Sequence, residues 1–416
     1  MWALLPLTAV LSATSCPAPA TTGGPTNTTT GGNSPFPKTA DWTSRVVDDN
    51  AARRPVDVAI ADFDADALAD VAVAYAGDDT TLPAVFIFFQ VNPDTWVAVQ
   101  PRVDPGLVSL AGIAALAVGD IDGDSRLDLV LAINGRLVYL RGPLNPRDGS
   151  AWIATIFDQS FASGIGQWND VAIGNIDGAA GPDLVACGSL PGRLAWFRSP
   201  SAGPMSGVGW VRFDIDIATR TGAASVSLRD MDGDGRTDIV STAPGEMDDR
   251  VAWYGNPPDL ATDRWTKHPI GNLADATRLA VADLNADGRF DVIVTSPTLR
   301  QIGWYPGPVD PAAAWSGFLL TQYSSATPVD IQVADIDGNG QPDVVVPTRQ
   351  PGSLRWFTPL GSQTDVWVEN NLRDTTEDMS RIAISDIDPG MRPDVAAPLR
   401  ASDAALDQIV WLQNPE

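Results

Sequence analysis

A nine-residue acidic pattern recurs seven times in this chain and constrains its fold more than any other feature. In the fullest copy, Asp230 to Asp238, aspartates occupy the first, third, fifth and ninth positions, with glycines among them. Successive copies begin 58, 55, 55, 53, 52 and 51 residues apart, and each ends on an aspartate eight residues after its start. Self-similarity at such a period indicates an array of repeated structural units.

Acids at alternate positions of a tight loop turn several carboxylate oxygens toward one point. Ca²⁺ takes about six to eight oxygen ligands at about 2.3–2.6 Å, and glycine permits the sharp bend that such a loop needs. The net charge is -25, and 23 of the 52 acidic residues occupy the four acidic positions of the seven loops. Because acids that merely solvate turns would not keep this spacing, the pattern predicts calcium sites.

Five of the loops carry an oxygen ligand at all four positions, so we expect about five structural calcium ions. We number the loops 1 to 7 in chain order. The predicted ligands in loops 1, 2, 4, 5 and 6 are Asp62, Asp64, Asp66, Asp70, Asp120, Asp122, Asp124, Asp128, Asp230, Asp232, Asp234, Asp238, Asp283, Asn285, Asp287, Asp291, Asp335, Asp337, Asn339 and Asp343.

Loops 3 and 7 are predicted to be empty or weak, because their fifth position has lost its ligand. Ala179 stands there in loop 3, and Gly390 stands there in loop 7 after Pro389. The remaining oxygen ligands of these two loops are Asn175, Asp177, Asp183, Asp386, Asp388 and Asp394.

Each repeat unit contains four short apolar runs, rich in β-branched and aromatic residues and bounded by Gly, Pro and Asp. Seven such units predict an all-β fold, a seven-bladed β-propeller of four-stranded antiparallel blades. A lone strand at Trp42 precedes loop 1, and the last unit stops after the strand of Trp411. We therefore expect the N-terminal strand to complete the last blade and close the ring, which removes unpaired edges. Most tryptophans recur at equivalent positions, which favours packing between neighbouring sheets.

The chain divides into three segments by composition. Residues 1–16 are predicted to be a signal peptide of the lipoprotein type, with lipidation at Cys16; cleavage after Ala20 and simple secretion are the alternative. Residues 17–38 are rich in Thr, Gly and Pro and are predicted to be a flexible linker, and residues 39–416 form the propeller. We expect a secreted or cell-envelope protein whose membrane contact is a lipid anchor.

Composition also bears on the classes of function. The net charge of -25 argues against nucleic acid as a partner. Cys187 lies in an apolar run and is predicted to be a buried thiol. The single histidine, His268, leaves little room for catalysis that depends on histidine, and the chain is expected not to be an enzyme.

The loops resemble those of the FG-GAP and VCBS repeat family, the calcium-loop propellers found in integrin alpha-chain heads and in secreted bacterial proteins. The run Val251 to Asn256, which follows loop 4, is similar to the bacterial branch. EF-hand loops need Glu at position 12, whereas loops 1 and 2 have Val73 and Leu131 there, inside predicted strands. The resemblance implies that calcium loops occupy one face and that partners bind the other.

Charged residues recur five positions before the first ligand of several loops, on that opposite face. They could line a mouth that binds a polar ligand, or they could simply be polar starts of strands at a solvated funnel. The predicted ligand-binding set is Asp57, Trp168, Asp170, Arg278, Asp330 and Arg381.

Three functions fit these features. The first, which we favour, is a calcium-stabilised scaffold for binding or adhesion, with a protein or a glycan as partner. The second is a carbohydrate-active enzyme of the polysaccharide lyase or sugar dehydratase type, in which Asp170, Asp330 and Arg381 would be the catalytic candidates. The third is a lectin. Fold alone does not choose among them.

Overall fold

Each repeat unit forms one four-stranded antiparallel sheet, and seven sheets form a ring. This computed structural model describes residues 42–49, 54–77, 82–103, 112–161, 166–179, 181–189, 192–200, 209–216, 222–260, 264–359, 367–388, 392–401 and 407–415. The predicted seven-bladed propeller is confirmed. The signal peptide, Cys16 and the linker lie outside the described residues.

The first strand of each blade contacts the first strand of its neighbours, so these strands surround the axis of the ring. In blades 6 and 7 this strand is split into two short pieces. The first strands are β2 (Pro55–Ala61), β6 (Ile113–Gly119), β10 (Gln167–Gly174), β14 (Val226–Arg229), β18 (Arg278–Ala282), β22 (Thr327–Pro328) with β23 (Gln332–Ala334), and β27 (Asp378–Met379) with β28 (Ala383–Ser385).

The second strands are buried along almost their whole length, because neighbouring blades cover both of their faces. This explains why they read as continuous apolar runs. They are β3 (Asp70–Tyr75), β7 (Asp128–Ile133), β11 (Asp183–Ser189), β15 (Asp238–Thr242), β19 (Asp291–Ser296), β24 (Asp343–Arg349) and β29 (Asp394–Arg400).

The third strands carry the recurrent buried aromatic residues. They are β4 (Ala84–Asn92), β8 (Arg136–Arg141), β12 (Arg193–Arg198), β16 (Val251–Gly255), β20 (Gln301–Tyr305), β25 (Gly352–Pro359) and β30 (Gln408–Gln413).

The fourth strands form the partly exposed rim of the ring. They are β5 (Thr95–Val99), β9 (Ile153–Asp158), β13 (Val211–Asp216), β17 (Thr266–Gly271), β21 (Phe318–Gln322), β26 (Trp367–Thr375) and, for blade 7, β1 (Thr43–Asp48). A 3₁₀ turn at Gly149–Ala151 precedes β9. No helix among the described residues has the length and apolar character needed to cross a bilayer.

The ring closes as predicted, because β1 pairs antiparallel with β30. Thr43 lies opposite Gln413, and Val46 lies opposite Val410. Blade 7 is therefore built from both ends of the repeat array, and β1, which precedes the first strand of blade 1, supplies its outer edge.

Tryptophans join neighbouring blades. Trp96 of blade 1 meets Trp411 of blade 7 edge to face, with ring centroids 6.3 Å apart. Trp304 of blade 5 meets Trp367 of blade 6 at 6.0 Å. Such edge-to-face pairs stabilise the fold beyond the contribution of the apolar area that they bury. The predicted packing role of these residues is confirmed.

Candidate functional site

The seven acidic loops join the first and second strands and therefore lie at one end of the ring. In loop 4, Asp230 accepts hydrogen bonds from the backbone N–H groups of Gly233 at 2.8 Å and Gly235 at 2.9 Å. Both glycines have positive φ, +77° and +85°. The carboxylate at the first position thus fixes the bend of its own loop.

Loop 1 adopts the same bend without glycine. Ala65 and Ala67 have φ values of 60° and 71°, a region in which a residue with a Cβ is strained. The first-position carboxylate of Asp62 still accepts a backbone hydrogen bond from Ala67 N at 3.0 Å. The loop therefore keeps its form although its sequence departs from the pattern.

The aspartate at the ninth position is buried and ties its loop to the third strand. Asp238 accepts hydrogen bonds from Met231 N at 2.8 Å and from Asn256 N at 2.7 Å. Burial raises the pKa of Asp238 to about 7, while these hydrogen bonds lower it. Burial also raises the pKa of the corresponding residues, to about 7 in Asp70, Asp291 and Asp343 and to about 6 in Asp128 and Asp394.

Five loops bring three carboxylates close enough to share one cation, with one oxygen of each residue within 4.8 Å of the others. The groups are Asp62, Asp64 and Asp66; Asp120, Asp122 and Asp128; Asp230, Asp232 and Asp234; Asp335, Asp337 and Asp343; and Asp386, Asp388 and Asp394.

The chemistry of these groups fits a hard cation. Every donor is a carboxylate oxygen, which is the ligand type that Ca²⁺ prefers. Asp337 is 9% exposed, and its Oδ2 has no hydrogen-bond partner among the described residues. A buried carboxylate oxygen without a partner is costly, so a cation at this point would satisfy it.

Arginines neutralise part of the charge of the loops. Arg141 pairs with Asp122 and, at 2.7 Å, with Asp124. Arg147 of blade 2 reaches across to Asp64 in loop 1. These pairs show how the loops hold their form while like charges lie close together.

The two loops predicted to be weak differ from each other. Loop 7 gathers three carboxylates, whereas in loop 3 Arg198 pairs with Asp177 at 2.7 Å and Asn175 donates a hydrogen bond to Ala179 O at 2.8 Å. Pro389 and Gly390 of loop 7 lie outside the described residues. Loop 5 contributes Asn285 in place of a third-position acid. The occupancy of each loop remains a prediction.

At the opposite end of the ring, five of the six predicted ligand-binding residues form one ionic cluster, in which Arg278 is partly exposed and the other four are buried. Arg381 lies at its centre, donating to Asp57 at 2.8 Å and to Asp170 at 2.9 Å. Arg278 lies 3.9 Å from Asp170, and Asp330 interacts electrostatically with both arginines. We call these five residues, from blades 1, 3, 5, 6 and 7, the axial cluster.

Each of the three aspartates of the axial cluster also links its own blade to the next. Asp57 accepts a hydrogen bond from Leu116 N of blade 2 at 2.9 Å, and Asp330 accepts one from Ile382 N of blade 7 at 3.0 Å. Asp170 accepts one from Ser225 Oγ of blade 4 at 2.8 Å. A polar residue five positions before a loop thus links neighbouring blades, which the sequence pattern did not reveal.

Burial governs the charges of the axial cluster. It raises the pKa of Asp330 to about 6, against the opposing effect of the arginines, and it raises the pKa of Asp57. Asp57, Asp170 and Asp330 are each at most 2% exposed. Trp168 lies apart from the cluster, buried against Phe161 with ring centroids 4.9 Å apart.

Two asparagines whose role was not recognised from the sequence hold neighbouring blades together. Asn256 Nδ2 donates to Ile176 O of blade 3 at 2.8 Å, and Asn414 Nδ2 donates to Ile336 O of blade 6 at 2.8 Å. Both asparagines directly follow a third strand. The recurrence of Asn at this position of the repeat is the sequence signal that could have identified them. His268 stacks on Trp253, with ring centroids 4.2 Å apart, and Cys187 is buried in β11.

Comparisons with known proteins agree with this architecture. A family model described as an FG-GAP-like repeat matches residues 230–294, which run from loop 4 into β19. No curated protein sequence matches the chain.

Solved structures resemble the fold at low sequence identity. A lectin from Agrocybe aegerita, described as recognising non-reducing terminal N-acetylglucosamine, has 15% identity and a TM-score of 0.50, covering 78% of this chain and 82% of its own. The Dos1 propeller has 12% identity and a TM-score of 0.49, covering 83% of this chain and 76% of its own. A luciferin-regenerating enzyme has 9% identity and a TM-score of 0.46, covering 89% and 95%.

At these identities the lectin supports the fold alone. The family match confirms the resemblance that the acidic loops carry in the sequence. This chain is a seven-bladed β-propeller that contains an FG-GAP-like repeat in residues 230–294.

Proposed function

We propose that this chain is a calcium-stabilised binding scaffold without catalytic activity, with a protein or a glycan as its partner. The observation that carries the proposal is the convergence of three carboxylates in each of loops 1, 2, 4, 6 and 7. The calcium ions would bind at one end of the ring, held by the loop aspartates, and would leave the opposite end free for a partner.

We assign calcium a structural role because the groups that would surround it already shape the fold. Asp230 fixes the loop bend, and Asp238 ties the loop to the third strand. A ligand that binds only the folded state at 100 times its Kd adds about 2.7 kcal/mol to the free energy of unfolding. Several occupied loops would each contribute in this way.

Calcium titration of the chelated protein by calorimetry tests the proposal. We expect about five ions, from the number of loops with a full set of oxygen ligands. Replacing Asp232 by Ala should remove one ion. Asp94, an exposed residue in the turn between β4 and β5, provides the control, because D94A removes one charge outside the loops. A stoichiometry of one or none in the unaltered protein would refute the calcium assignment.

The binding role is tested separately. With calcium saturating, the chain is screened by thermal shift against oligosaccharides and envelope polysaccharides, and by pull-down from envelope extracts. A specific glycan or protein that is retained supports the scaffold. Conversion of a retained glycan to product would contradict the non-catalytic assignment.

We also propose that the protein is exported and anchored to the cell envelope through Cys16. The apolar residues before Cys16 and the linker after it support this. Metabolic labelling with a fatty acid should mark the unaltered protein and leave C16S unlabelled. Equal labelling of both would exclude Cys16 as the lipidated residue.

A further inference from the structure

The mouth of the ring, opposite the acidic loops, holds a cavity of about 500 Å³. Residues from all seven blades line it, from Val56 in blade 1 to Arg381 in blade 7. Ligand cavities in proteins typically measure about 300–1,000 Å³. The cavity is therefore large enough for a molecule the size of a sugar or a disaccharide.

The charged residues that line this cavity are all arginines. Among the described residues they are Arg278, Arg349 and Arg381, and no carboxylate belongs to the lining. Asp57, Asp170 and Asp330 lie beneath the lining and offset the charge of Arg381 and part of that of Arg278, so the guanidinium groups, and not the carboxylates, are the charged groups presented to the cavity. Clefts lined by one sign of charge concentrate ligands of the opposite sign.

Each of these arginines retains capacity for a ligand. Arg349 donates through Nε to Met379 O at 2.8 Å, which leaves its two Nη groups for a ligand. Within the part of the chain that the structure describes, Arg278 makes only long contacts through Nη1, 3.4 Å to Ala224 O and 3.9 Å to Asp170. Arg381 is held firmly by Asp57 and Asp170, yet its buried Nε has no hydrogen-bond partner among the described residues. Guanidinium groups bind carboxylate, sulfate and phosphate oxygens with paired hydrogen bonds.

Neutral polar groups surround the arginines. The amides of Gln167 and Asn169 and the hydroxyl of Thr277 also line the cavity. Asn169 donates to Ala223 O at 2.6 Å, which fixes the orientation of its amide. These groups suit the hydroxyls of a sugar, which both donate and accept hydrogen bonds.

We propose that the axial cavity binds an acidic sugar, with its oxyanion group on Arg278 and Arg349 and its hydroxyls on the neighbouring amides. The oxyanion is a carboxylate, a sulfate ester or a phosphate ester, which share the same guanidinium chemistry. This inference names a ligand for the binding role proposed above and rests on that role. The aspartates of the axial cluster lie beneath the cavity and hold the arginines of the cluster in place before the ligand arrives, which lowers the entropic cost of binding.

Calorimetry on the full chain with calcium saturating tests the inference. The probes are glucuronate, glucose 6-sulfate, glucose 6-phosphate, neutral glucose, and inorganic sulfate and phosphate. We expect one or more acidic sugars to bind while glucose does not, and the three sugars distinguish the source of the oxyanion. Binding of inorganic sulfate or phosphate as tight as that of every acidic sugar would overturn the sugar assignment.

Two variants and a control locate the site. R278Q and R349Q should each weaken acidic-sugar binding about tenfold or more, because each removes a charge-assisted hydrogen-bonding group. R300Q removes the same charge from an exposed turn at the same end of the ring, where Arg300 donates to Ser324 O, and should bind as the unaltered protein does. Equal affinity in all three variants would overturn the assignment.

The calcium stoichiometry of each variant is measured in parallel, so that a folding defect is recognised. Loss of sugar binding with normal calcium binding supports the site. If no acidic sugar binds while calcium and a protein partner still bind, the cavity assignment fails and the scaffold proposal stands. If calcium binding also fails in the unaltered protein, the scaffold proposal itself is refuted.

Discussion

Removal of the charge at the centre of the axial cluster is the most direct test of how the blades are held together. Arg381 is 5% exposed and pairs with two carboxylates that are themselves 1% and 2% exposed. Arg381→Met keeps an unbranched side chain of similar length and deletes the charge. Breaking a buried ion pair by removing one partner typically costs about 3–5 kcal/mol.

We expect the loss of stability of R381M at pH 8 to lie in the upper part of that range, because Asp57 and Asp170 both lose the positive charge with which they pair. The cost should shrink as the pH falls. Burial already raises the pKa of Asp57, and without Arg381 it rises further above its unfolded value of about 3.9. The folded variant then binds this proton at a higher pH than the unfolded chain does, so the contribution of Asp57 to stability is greatest at low pH and falls as the pH rises through the folded pKa.

The assay is urea unfolding followed by tryptophan fluorescence at pH 5 and pH 8. R300M, at an exposed arginine, is the control and should change stability by no more than about 0.5 kcal/mol. The double variant R381M/D170N should recover part of the loss, because it removes one of the two stranded charges and keeps a hydrogen-bonding group. A loss of less than about 1 kcal/mol for R381M at pH 8 would refute the reasoning, since buried pairs are expected to cost several-fold more when broken.

Three further predictions concern the loops and the joins between blades. Burial raises the pKa of Asp238 to about 7, so the calcium-free protein should lose stability as the pH rises from about 4 to about 7. Saturating calcium should remove this loss of stability. Urea unfolding midpoints measured across this pH range, with and without a chelator, check the two expectations. N256A should lower the free energy of unfolding by about 1–3 kcal/mol, because it leaves the buried carbonyl of Ile176 without its hydrogen-bond donor. An unchanged urea midpoint would show that this hydrogen bond between blades does not contribute to stability. G142A should lower the melting temperature, since its Cβ would lie 2.1 Å from Leu127 O; a melting temperature equal to that of the unaltered protein would show that the backbone yields there.

Much of the architecture could be predicted from the sequence because the repeat period and the acidic pattern are local signals. The ninth-position aspartate marks where each second strand starts, and Trp42 marks the strand that closes the ring. Both signals are read along the chain without knowing which blades touch.

The axial cluster could not be predicted in this way, because its contacts join residues far apart in sequence. Asp57 and Arg381 are 324 positions apart. Only the ring brings them together, and a pattern within one unit cannot show whether a polar side chain faces solvent or a partner across the axis. The predicted ligand-binding role of these residues remains a prediction. The structure adds that Asp57, Asp170 and Asp330 are buried.

The pairing of β1 with β30 has a consequence for how the protein reaches its native state. Thr43 and Gln413 lie opposite each other although 370 positions separate them. During synthesis β1 is made first, yet its partner leaves the ribosome only after six other blades. Contacts between such distant residues form slowly, and unpaired strand edges aggregate. We therefore expect refolding to show a slow final phase when β1 docks, and chains interrupted before β30 to depend on chaperones.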